Sequence, residues 1–118
     1  MIKAFEYAFN GWRRGLKERN LKIHLIVALC VFSASILFQI SPTEWLIILF
    51  LIGAVITAEL FNSAVEEICN TITSKLKLRY SDTTAPRDLA AGAVLFISLV
   101  AAVIGLIIFV PRVLMFLL

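Results

Sequence analysis

Between Leu89 and Val110 the chain runs for 22 residues without a charged side chain. An α-helix needs about 20 predominantly apolar residues to cross the hydrocarbon core of a bilayer, so this segment is expected to span a membrane. Two more apolar stretches precede it, one from about Ile23 to Ile40 and one from Trp45 to the region of Glu59. They reach spanning length only by including His24, Gln39 or a row of acidic and amide residues. In a chain of 118 residues with 61% hydrophobic content, three such helices would leave almost nothing to cover them in water. The mean hydropathy of +0.97 agrees. The expected fold is an all-α membrane protein in one domain, 1–118, with an interfacial helix over 1–20 and transmembrane helices over 23–40, 45–70 and 88–110.

Charge sets the expected orientation. Lys3, Arg13, Arg14, Lys17, Arg19 and Lys22 precede the first span, and Lys75, Lys77, Arg79 and Arg87 lie between the second and third. The Ser41–Glu44 turn carries no basic residue, and Arg112 stands alone after the third span. The excess of Lys and Arg in cytoplasmic segments then places the N-terminus and the 71–88 loop inside and the C-terminus outside. The net charge of +3 is thus a juxtamembrane pattern, and no nucleic-acid partner is expected. Arg112 is expected to snorkel to the outer headgroups. The first apolar stretch lacks a small-x-small cleavage site and does not read as a signal peptide.

Residues 3–19, KAFEYAFNGWRRGLKER, interleave aromatic and basic side chains at helical spacing, as in a helix lying in the interface. Gly11 and Gly15 weaken that helix but would let another approach closely. Ser41, Pro42, Thr43 and Glu44 form a turn with the pattern of a capping box, and Trp45 follows as an outer aromatic anchor. Residues 71–86 read as the one sizeable polar loop, with Pro86 and Asp88 opening the third helix and Asp88 as its N-cap. Cys30 and Cys69 are 39 positions apart and fit buried apolar sites better than a disulfide or a metal centre.

The second apolar helix continues as ELFNSAVEEICN, which places Glu59, Asn62, Glu66 and Asn70 on one helical face. Polar residues can glue membrane helices together, which suits Asn62 and Ser63 but not two carboxylates. An acid at membrane depth is costly and points to chemistry. Glu59 lies 14 residues from Trp45, about 21 Å along a helix, which leaves it ~9 Å short of the far side of a ~30 Å core. Glu66 and Asn70 would emerge at that boundary. The arrangement suits a reaction between a lipid hydroxyl and a charged, water-soluble co-substrate. Glu67 points off the stripe and reads as a solvated charge, and His24 reads as an interfacial anchor.

FEYAFNG (5–11), ERNLKIH (18–24), ELFNSAVE (59–66), RDLAAGAV (87–94) and IGLIIFVP (104–111) occur in the order and spacing of the prokaryotic diacylglycerol kinase family, and the chain resembles its undecaprenol-kinase-like branch. The E-x-x-N-x-x-x-E block followed about twenty residues later by a basic-Asp pair is the specific part of the match. The resemblance implies an integral-membrane lipid kinase that uses ATP with Mg²⁺ and acts on a membrane lipid alcohol, diacylglycerol or undecaprenol, as a homotrimer with shared active sites in the bacterial cell membrane. It implies Glu59 as the base for the lipid hydroxyl, with Asn62 and Asn70 in the catalytic stripe. Glu18 and Glu66 would hold metal and ATP, while Tyr7, Arg87 and Asp88 would contact the nucleotide. No G-x-x-x-x-G-K-[ST] loop is present, so carboxylate-held metal and basic side chains must handle the phosphates.

The sequence departs from the family where Asn70 replaces the usual Asp and Arg87 the usual Lys. The 75–86 segment and the Gly11-to-Glu18 spacing also differ. A catalytically degenerate, non-enzymatic trimeric module of the same fold is the alternative these departures raise. A proton or cation pathway through Glu59 and Glu66 is a weaker one, since no ionisable residue extends it outward.

Overall fold

A computed structural model describes residues 1–118 as four α-helices and no strand. Helix α1 covers Ile2–Gly15, α2 Arg19–Leu37, α3 Pro42–Leu76 and α4 Thr84–Leu117, with a single 3-10 turn at Tyr80–Thr83 before α4. The last three are long and apolar enough to cross a membrane. Helices α3 and α4 extend past the expected spans at both ends, and α2 begins earlier than expected, at Arg19.

Helix α2 stops at Leu37, short of the expected Ile40, because Gln39 adopts a left-handed φ of 50° and the chain turns toward Pro42. Ser41 then caps α3 as expected: its Oγ accepts from the Glu44 amide at 3.2 Å, and the Glu44 carboxylate accepts from the Ser41 amide at 3.0 Å. Pro42 occupies the first helical position, where a missing N–H has no cost. Helix α3 runs 35 residues without a break, about 52 Å at 1.5 Å per residue, well beyond the ~30 Å hydrocarbon core.

The expected 71–86 loop is mostly helical. Residues 71–76 complete α3, Lys77 ends it with a left-handed φ of 54°, and α4 begins at Thr84. Asp88 is therefore not the N-cap of α4, a position held by Thr83, but stands exposed in the second turn. Pro86 falls in the first turn, where proline is tolerated. At the far end α4 continues through Pro111 to Leu117.

Helix α3 is central, packed most extensively on α4 and next on α2. Ile40, Ile48 and Ile108 form the buried cluster at the Ser41 end, with Trp45 folded against it and Phe32 edge-on to the Trp45 ring at 5.1 Å. Arg112 finds partners within the bundle. It donates to both Glu44 oxygens, one at 2.8 Å, and to the Ile108 carbonyl at 2.9 Å, tying the end of α4 to the start of α3. Cys69 is buried as expected, but Cys30 is exposed on α2. Only 13 of 118 residues are buried, so lipid or further protein must cover the apolar surface.

Helix α1 is strongly amphipathic and buries only Gly15. A Cβ there would lie 2.7 Å from Leu60 Cδ2 and 2.9 Å from Leu21 Cδ2, so this glycine permits the close approach of α1 to α2 and α3. Gly11 has open space around it and plays no such part.

Candidate active site

Halfway along α3 the apolar surface gives way to Glu59 and Asn62, one turn apart and 3% and 5% exposed. Of the eight acidic residues in the chain, Glu59 is the one that is buried. A carboxylate in such surroundings needs polar company. Helix α2 supplies it through His24, whose Nε2 lies 3.7 Å from Glu59 Oε2. That is too long for a hydrogen bond and short enough for an ion pair once the imidazole is protonated. Asn62 follows one turn along the same helix and lines the same cleft.

These groups line a cleft of about 340 Å³ between α2, α3 and α4. Asn20, Ile23 and His24 form one wall, Glu59 and Asn62 the floor, and Ala91, Val94, Leu95 and Ser98 the other wall. Two buried polar atoms on this lining, Asn62 Oδ1 and Ser98 Oγ, have no hydrogen-bond partner.

Glu66 and Asn70 continue the stripe but are exposed. Glu18 precedes α2 as its N-cap residue in an extended conformation, and its side chain is also exposed. No cluster of three or more His, Cys, Asp or Glu side chains converges anywhere, so Glu18 and Glu66 together offer two carboxylates and no closed metal cage.

Arg87 is buried at 8% exposure and held on three sides. Its Nε donates to Thr83 Oγ1 at 2.9 Å, its Nη2 donates to Asn70 Oδ1 at 2.9 Å, and its guanidinium carbon lies 4.3 Å from the centre of the Tyr80 ring. Each of these partners is neutral. Arg87 therefore keeps its charge uncompensated, with three N–H donors left for an anion. Asp88 is exposed on the next position. Tyr7 stands 69% exposed on α1, away from the cleft lining.

The structure thus gathers Glu59 and Asn62 in one cleft, joins Asn70 to Arg87, and leaves Tyr7, Glu18 and Glu66 outside the cleft lining. Two further side chains on the cleft carry no local signal of that placement in the sequence. Nothing local in α2 reveals that His24 faces the acid of α3, and Ser98 is only a lone polar side chain between Asp88 and Arg112.

A profile of the family described as prokaryotic diacylglycerol kinase matches residues 6–109. The chain is also similar to an undecaprenol kinase of Bacillus subtilis (strain 168), with 37% identity over 112 residues that cover 94% of this chain and 89% of the relative. No solved structure matches. Neither match favours a module without turnover.

Proposed function

The chain belongs to the prokaryotic diacylglycerol kinase family and is an ATP-dependent membrane lipid kinase, and we propose that its acceptor is a long-chain polyprenol such as undecaprenol. The similar enzyme from Bacillus subtilis bears that activity in its name, which supports the polyprenol over diacylglycerol. The observation that carries the catalytic assignment is the burial of Glu59 beside His24 and Asn62 in a cleft of largely apolar lining.

Glu59 acts as the base. It takes the proton of the lipid hydroxyl as the oxygen attacks the γ-phosphorus of ATP, and ADP leaves with the electron pair of the broken P–O bond. Little else is asked of the protein, since phosphoryl transfer depends on positioning and charge neutralisation. Glu18 and Glu66 would hold Mg²⁺, an ion that typically takes one or two carboxylates, and when bound it would supply neutralisation of phosphate charge. Two exposed carboxylates suit that demand. Arg87 clamps a phosphate with its free donors, Asp88 and Tyr7 contact the nucleotide, and Asn62 and Asn70 hold the stripe in place.

The site faces the cytoplasm, where ATP is, with the N-terminus and the 77–83 connection on that side. A homotrimer completes it, a reading supported by the small buried fraction of the single chain. The decisive experiment is phosphate transfer by purified protein in detergent with ATP and Mg²⁺, comparing undecaprenol and diacylglycerol. Undecaprenol is expected to turn over faster, and Glu59→Gln is expected to keep the fold and lose at least 100-fold in rate, about the low end for removal of a catalytic base. Near-normal turnover by Glu59→Gln would remove Glu59 from the role.

A further inference from the structure

We propose that Ser98 binds the acceptor alcohol, its hydroxyl donating to the same lipid oxygen from which Glu59 takes the proton. The inference rests on the kinase reading and names a residue on the acceptor side of the site.

Ser98 is the only polar side chain in α4 between Asp88 and Arg112. A serine inside an apolar helix normally satisfies itself by donating to the carbonyl four residues back. Ser33 and Ser35 do so in α2, each at 2.8 Å. Ser98 does not: its Oγ is buried on the cleft lining without a partner. A buried hydroxyl left this way is unfavourable unless something else comes to bond it.

The register of the two helices says what lies opposite. Arg87 bonds Asn70 near one end of the pair, and Arg112 bonds Glu44 at the other. Those contacts are 25 positions apart on α4 and 26 on α3, so the antiparallel helices advance in step. Eleven positions from Arg87 along α4 is Ser98, and eleven back from Asn70 along α3 is Glu59. The unpaired hydroxyl therefore stands at the depth of the buried carboxylate, across the same cleft.

The second unpaired atom there is Asn62 Oδ1, which can only accept. A free donor from Ser98, an acceptor from Asn62 and a carboxylate at Glu59 together complement an O–H group. A carboxylate or phosphate headgroup would face the charge of Glu59. An alcohol oxygen has two lone pairs: one attacks the γ-phosphorus, the other accepts from Ser98, and the proton goes to Glu59.

The test uses the full-length protein in detergent with two short-chain acceptors, dioctanoylglycerol and a short polyprenol. Ser98→Ala is expected to raise KM for both alcohols about five- to tenfold, the scale of one lost hydrogen bond, with KM for ATP unchanged. Ser98→Thr, which keeps a hydroxyl, should restore most of the loss, and Ser33→Ala should behave as wild type. Because Ser98→Ala removes an unsatisfied group, its unfolding midpoint should not fall. Unchanged KM in Ser98→Ala would overturn the proposal. So would a loss confined to the glyceride, which would assign the contact to an ester carbonyl.

A second measurement, the rise in unfolding midpoint on adding either alcohol without ATP, separates this proposal from the kinase reading. A rise that Ser98→Ala abolishes, in a protein that transfers no phosphate, would sink the kinase reading and leave Ser98 standing. No rise in the wild-type protein would overturn Ser98 as well.

Discussion

Asn70 and Arg87 are bonded to one another at 2.9 Å. A neutral amide holds the guanidinium in place without cancelling its charge. Asn70→Asp would replace that contact with a charge-assisted pair, and Arg with a carboxylate is a strong, often bidentate match. Arg87 would then be drawn from the phosphate. The variant is expected to show a KM for ATP raised by about tenfold, the scale of one charge-assisted hydrogen bond. Faster turnover in steady-state assays would show instead that the natural amide weakens the enzyme. His24 approaches Glu59 to 3.7 Å, and His24→Ala is expected to lower kcat by about tenfold while leaving KM for ATP unaltered. Wild-type kcat in that variant would release Glu59 from any dependence on the imidazole.

Helix α3 carries the acid, most of the packing and both anchoring contacts to α4, so its ends matter more than those of its neighbours. The capping box at Ser41 was legible in the sequence because it needs only two side chains three residues apart. Ser41→Ala is expected to destabilise the protein by about 1 kcal/mol, measurable by denaturant titration, with kcat intact, since the cap is far from Glu59. The start of α4 was not legible. Asp88 looks like a cap by type, yet the chain enters the helix at Thr84, after a 3-10 turn fastened by the Arg79 amide donating to Asp82 at 2.8 Å. At the end of α1, Gly15 lies against Leu21 and Leu60. Gly15→Val should push α1 away and with it the segment leading to Glu18. A KM for ATP equal to wild type in that variant would disconnect α1 docking from the nucleotide site.

The whole molecule measures 61 × 37 × 20 Å, a slab about two helix diameters thick with apolar side chains on its outer faces. Lipid covers such faces without cost, whereas Arg87, Glu59 and Asn62 are buried among protein side chains. The orientation proposed for the chain is testable by cysteine labelling in a background lacking Cys30 and Cys69. Lys77→Cys should react with a membrane-impermeant thiol reagent only after cells are opened, whereas Leu118→Cys should react in intact cells. The reverse pattern would invert the topology and place the cleft on the wrong side for ATP.

By itself the sequence determined the class of fold, the number of spans, the acidic face of α3 and the family, because each follows from periodicity, local spacing or ordered motifs within one stretch of chain. Glu59 and Asn62 stand out on those grounds alone. Only the tertiary structure decided which side chains meet across helices: His24 with Glu59, Asn70 with Arg87, Glu44 with Arg112, and Ser98 facing the cleft. Those meetings depend on the rotation and register of one helix against another. In an apolar chain many registers bury similar surface, and the choice among them falls to a few polar contacts between residues as many as 68 positions apart.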